Sequence, residues 1–118
     1  MNATITLTDY TAAAQSLLTL LGKGSQTGYT VAPAAGSGEL QTPGQCVYLS
    51  IQSSPSNGAT VVYKGDSSTA NDGSRQAKEL LAGDVDVMQA APYVVHLGEV
   101  FIRASANNAK VNVEVRYQ

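Results

Sequence analysis

Tryptophan is absent from this chain, and cysteine and histidine occur once each, as Cys46 and His96. One thiol cannot close an intrachain disulfide, and one thiol with one imidazole cannot furnish a structural zinc set, so no disulfide framework, metal or other cofactor is expected. Charge is scarce too: 14% of the residues are Asp, Glu, Lys or Arg, against about 25% in ordinary soluble domains. The seven basic residues, Lys23, Lys64, Arg75, Lys78, Arg103, Lys110 and Arg116, are scattered along the chain. They make no stripe that would track a phosphate backbone, and nucleic acid is not an expected partner. Long apolar runs are missing as well. The longest, around Leu17 to Leu21, falls far short of the roughly 20 residues that span a bilayer, and Met1-Asn2-Ala3-Thr4 has no basic leader region. The chain is therefore expected to be neither secreted by the usual route nor held in a membrane. The triplet Asn2-Ala3-Thr4 is read as a chance match to a glycosylation site.

What is present is Ser, Thr, Asn, Gln and Gly on a hydrophobic scaffold of 43% in 118 residues. A chain of this length fits one domain, 1–118, able to bury roughly two-thirds of its unfolded surface without staples. A surface of small neutral polar groups has little long-range repulsion, which suits close packing against other protein.

Alternation dominates the patterning. Residues 3 to 8 read as a strand with Ile5 and Leu7 inward, and Thr suits its other face. Ala13, Ala14, Leu17, Leu18 and Leu21 then fall on one helical face. This predicts a helix of about three turns over 10–21, capped by Thr8 or Asp9 and closed by Gly22. A strand through Ser16 to Leu21 is the competing reading. From Cys46 to Ser53 the residues Val47, Leu49 and Ile51 share a face. Pro55-Ser56-Asn57-Gly58 then supplies turn chemistry for a hairpin into Ala59 to Lys64. Residues 77–84 form either a helical turn or a strand entering a Gly-Asp corner, with the strand preferred. Val85 and Val87 alternate with Asp86 and Met88, Val100, Ile102 and Ala104 with Phe101 and Arg103. The last strand places Val111, Val113, Val115 and Tyr117 inward and Lys110, Asn112, Glu114 and Arg116 outward. Short strands at roughly ten-residue spacing indicate a β-sandwich or barrel.

Between them, 22–45 loses both periods and fills with Gly, Ala, Pro, Ser and Thr. A structureless connection longer than about 12–15 residues is uncommon in a compact domain. The segment is read either as an exposed mobile loop or as an extended loop or arm laid on a partner, with Tyr29, Val31, Pro33 and Leu40 as its apolar anchors. Tyr29 to Ala32 is a short strand candidate within it, and 46–118 forms the β core.

Catalytic patterns are weak. His96 would be the only available base, yet it follows the apolar run Tyr93-Val94-Val95, and no Gly-x-Ser-x-Gly elbow presents a nucleophile. It is expected to be a half-buried strand histidine bonded to backbone. Cys46 reads as a small buried apolar residue with nothing nearby to activate its thiol. Gly22-Lys23-Gly24-Ser25 lacks the order of a phosphate loop. Asp66, Asp72, Asp84 and Asp86 concentrate acid, but their spacing fits no calcium loop, and Asp in such turns usually bonds its own backbone. The chain is not expected to be an enzyme.

The string Val61-Val62-Tyr63-Lys64-Gly65-Asp66-Ser67-Ser68, then Leu80-Leu81-Ala82-Gly83-Asp84, then Leu97-Gly98-Glu99-Val100-Phe101-Ile102-Arg103-Ala104, then Lys110-Val111-Asn112-Val113, resembles small virion proteins of tailed bacteriophages. The likeness covers roughly the last 60 residues and is a pattern of β corners. It implies a β-sandwich, and together with the helical spacing near the N-terminus the expected fold is all-β, an antiparallel β-sandwich of jelly-roll-like form with one short N-terminal helix. Among such proteins the single-domain ones resemble capsid decoration, or cement, proteins. The resemblance implies a homodimer or homotrimer that binds the major capsid protein on the virion surface after synthesis in the host cytoplasm. The alternatives are a neck, tail or fibre-associated virion protein, and a carbohydrate- or receptor-binding module using loop residues such as Tyr29, Asn57, Asn71 and Tyr93.

Overall fold

A computed structural model of the chain describes residues 2–32, 44–89 and 94–117. In chain order the elements are β1 (Asn2–Leu7), β2 (Gln15–Ser16), α1 (Leu17–Lys23), β3 (Tyr29–Ala32), β4 (Gln45–Cys46), β5 (Tyr48–Ser53), β6 (Val62–Gly65), β7 (Lys78–Leu80), β8 (Val85–Gln89), β9 (Val95–His96), β10 (Phe101–Ala104) and β11 (Ala109–Arg116). Two short 3-10 turns, Pro55–Asn57 and Leu97–Glu99, complete them.

The strands pair antiparallel in a five-stranded sheet of order β3-β1-β11-β5-β8, a four-stranded sheet of order β2-β10-β6-β7, and the small pair β4-β9. Among the described residues, the expectation of an all-β, antiparallel chain with one short helix therefore holds. Both sheets feed one cluster of buried residues: Ile5, Leu7, Leu49, Ile51, Val111 and Val113 from the first, Val62, Leu80 and Ile102 from the second. Strand alternation explains the sorting, since a period of two sends every other side chain inward. Val111, Val113 and Val115 are buried as the sequence predicts, but Tyr117 is 39% exposed, just past the end of β11.

The helix begins later than its apolar spacing suggests. Asp9 does not cap it: its carboxylate instead accepts the Thr11 amide and hydroxyl in a local turn. Gln15–Ser16 pairs with β10, and the Ser16 hydroxyl accepts the Thr19 amide as the true N-cap. Leu17, Leu20 and Leu21 form the buried face, whereas Ala13 and Ala14 lie before the helix. At the other end Gly24, not Gly22, closes it, at a φ of 86° and with its amide bonded to the Leu20 carbonyl. The strand reading of Ser16 to Leu21 survives only at Ser16.

Pro55–Gly58 does not make a hairpin. β5 lies in the five-stranded sheet and β6 in the four-stranded one, so the segment carries the chain from one sheet to the other. Asn57 holds this corner by accepting the Lys110 amide and donating to the Lys110 carbonyl and the Ser53 hydroxyl. Residues 77–84 contribute β7, in agreement with the strand reading.

Candidate functional site

The broadest surface built by regular structure is the outer face of the five-stranded sheet. Register brings together residues far apart in the chain: Ala32, Thr4, Asn112, Gln52 and Val85 form one row across all five strands. Asn2, Glu114, Ser50 and Val87 form the next. Arg116, Tyr48 and Gln89 follow at one end, and Thr30, Thr6 and Lys110 at the other.

Neutral side chains hold this face in a fixed arrangement. The Thr4 hydroxyl donates to Asn112 Oδ1 at 3.1 Å, and Asn112 Nδ2 donates to Gln52 Oε1 at 3.1 Å, a relay across three strands. A shallow depression of ≈ 360 Å³ lies over it. Arg116 donates from Nε and Nη2 to Glu114 Oε2 at 3.0 and 2.8 Å, two residues away on the same strand. Its guanidinium also sits 4.4 Å from the centre of the Tyr48 ring. The Glu114–Arg116 pair thus runs along β11 rather than between strands, and Lys110 is the other charge on the face. At the rim, β8 turns Val85 and Val87 outward, 50% and 49% exposed. Such a surface is polar but nearly neutral, with an apolar border, and it suits packing against protein.

The sense of β8 is the reverse of what hydrophobicity alone would choose. Asp86 and Met88 face inward because Asp86 meets two cations there: it pairs with Lys64 Nζ of β6, and Lys78 Nζ of β7 lies 3.6 Å away. Burial alone would raise the Asp86 pKa. The hydrogen bond and charge of Lys64, with Lys78 beyond, outweigh it and hold the carboxyl below the ordinary aspartate range.

The proposed arm anchors are redistributed. Tyr29 and Val31 belong to β3 and are 2% and 5% exposed. They are core residues of the sheet and offer no surface to a partner, which corrects their reading as contact residues. Their alternation with Thr30 and Ala32 is the cause, since β3 pairs with β1 and turns them into the core. Residues 22–32 are accordingly part of the packed structure. Pro33 and Leu40 lie outside the described residues, as does Tyr93.

The weak catalytic candidates are dispersed. His96 is exposed at the end of β9, not half-buried, because the short β4-β9 pair turns it away from the core. Cys46 is buried, and burial raises its thiol pKa despite a backbone hydrogen bond from Tyr48 that lowers it. Each turn aspartate is taken by its own loop: Asp66 by Ser68, Asp72 by Ser74 and Asp84 by the Leu81 amide. Among the described residues no three His, Cys, Asp or Glu side chains gather where a metal ion would sit, and no helix is long and apolar enough to cross a membrane.

Sequence reasoning did not single out Thr4, Gln52 and Asn112 as a surface. Alternation showed that they face outward, but their juxtaposition depends on strand order, which brings together residues 108 positions apart. Comparisons with protein-family models, curated proteins and solved structures return no match.

Proposed function

We propose that this chain is a structural protein of a tailed-phage virion, a capsid decoration or cement protein. In this reading it folds as a jelly-roll-like β-sandwich and lays the outer face of its five-stranded sheet against the assembled shell. The observation that supports the reading is that face itself. Its five strands carry mostly neutral side chains, three of which, Thr4, Asn112 and Gln52, are already bonded to one another, with a self-paired Glu114–Arg116 and a Val85–Val87 border. Ordered neutral side chains lose little entropy and require little desolvation of charge on docking, so a modest contact per copy is sufficient.

A cement protein carries out no reaction. It favours the assembled state by binding the composite site that only the shell presents, and copies joined to one another engage neighbouring sites at high effective concentration. The partners are the major capsid protein and further copies of this chain, and the location is the virion surface. Co-sedimentation of the purified chain with shells lacking it tests the assignment: saturable binding supports it, and free protein at every concentration refutes it.

A further inference from the structure

We infer that β8 is a self-complementary edge through which two copies of this chain pair antiparallel about a two-fold axis at Val87, joining their five-stranded sheets into one. The inference names the self-contact of the virion reading above, and rests on that reading only for its role in the particle.

Open sheet edges present unpaired backbone groups, and proteins usually guard them. Among the described residues, the other edges of the five-stranded and four-stranded sheets are guarded here. At β3, the Val31 amide is taken by the Ser25 hydroxyl and Tyr29 exchanges backbone bonds with Gln26. β7 carries exposed Lys78 and Glu79, and β2 is two residues long. β8 has five residues, and its outward side chains are Val85, Val87 and Gln89. Its only charge, Asp86, is turned inward and already neutralised by Lys64 and Lys78.

The strand fits a second copy of itself. Centred on Val87, antiparallel pairing sets Val87 beside the second copy's Val87, Val85 beside Gln89 and Asp86 beside Met88. No like charges meet across the strands. Lys64 Nζ reaches both Asp86 and Met88 Sδ, the latter at 3.3 Å. Each Asp86, lying beside the other copy's Met88, therefore approaches the Lys64 that covers it, and the charges attract across the axis. Edge pairing of this kind draws its affinity from main-chain hydrogen bonds and its register from the side chains.

Disulfide trapping of the purified full chain, without shells, tests the pairing. The buried Cys46 leaves the wild type as a silent background. Cysteines at exposed positions, Val87→Cys, Val85→Cys and the loop control Ser67→Cys, are compared under mild oxidation, with circular dichroism confirming the fold of each. Val87→Cys is expected to form a linked dimer about tenfold faster than Ser67→Cys, because pairing raises the local thiol concentration. Val85→Cys is expected to stay near the control rate, since the two copies of residue 85 lie about 13 Å apart in this register, beyond disulfide reach. Trapping of Val87→Cys no faster than of Ser67→Cys overturns the pairing, and trapping of Val85→Cys as fast as Val87→Cys overturns the register. A failure here leaves shell binding untouched, and failed shell binding with efficient trapping overturns only the virion reading.

Discussion

The hydroxyl of Tyr29 donates to the carbonyl of Ile102 at 2.8 Å, a buried bond that joins β3 of the five-stranded sheet to β10 of the four-stranded one. A residue read from the sequence as an arm anchor is thus a tie between the two sheets. Tyr29→Phe keeps the ring and deletes the tie, and is expected to cost about 1–2 kcal/mol of stability, measured by urea denaturation. Its shell binding should match the wild type under conditions where both are folded, because the side chain does not reach the surface.

The second tie, Lys64 to Asp86, makes stability pH-dependent in a defined direction. The folded-state pKa of Asp86 is depressed, so its contribution is fully present above the unfolded aspartate value and is lost as pH falls through the folded value. The loss begins below about pH 4. Lys64→Met should remove about 1–3 kcal/mol at neutral pH and flatten this acid limb. Denaturation curves from neutral to strongly acidic pH check both expectations.

The corner at Asn57 provides a local test of topology. Asn57 exchanges two hydrogen bonds with the Lys110 backbone, and Gly58 follows at a φ of 62° with open space around it. Asn57→Ala is expected to cost about 0.5–1.5 kcal/mol, because the Lys110 amide loses its protein partner while the Lys110 carbonyl keeps the Ser54 amide. Gly58→Ala should cost about 1–3 kcal/mol through backbone strain alone, since no atom obstructs the added methyl. Chemical denaturation of the two variants measures both.

Shell binding should respond weakly to salt. The proposed docking face carries Lys110 beside a Glu114–Arg116 pair that satisfies itself, so little of its attraction for a shell would be long-range charge. Affinity measured from low to high ionic strength is expected to change less than about tenfold. A steep loss would point to a basic or acidic contact elsewhere on the molecule.

Much of the fold was legible because alternation is a local signal. β1, β5, β10 and β11 follow directly from their apolar spacing, and Ile5, Leu49, Ile102 and Val113 are buried where that spacing puts them. The failures share a cause in tertiary pairing. The helical periodicity through Ala13 and Ala14 gave way to the Asp9–Thr11 turn and to the pairing of Ser16 with Phe101. Asn57-Gly58 carries the composition of a hairpin, but its partner is β11 rather than the next strand. In β8 the pattern was visible while its sense was not, because Asp86 faces inward only where Lys64 and Lys78 wait across the sheets. The candidate face was the least legible: Thr4, Gln52 and Asn112 become neighbours only through strand order.

The most direct test is co-sedimentation of the purified chain with shells lacking it, using the wild type and Gln52→Lys, a substitution at the centre of the outer face. The account predicts saturable pelleting of the wild type at a ratio fixed by shell symmetry. It also predicts at least about tenfold weaker binding for Gln52→Lys, from the burial of an unpaired charge, with stability changed by no more than about 0.5–1 kcal/mol. A wild type that stays in the supernatant at every concentration, or a Gln52→Lys variant that binds as tightly, would contradict it.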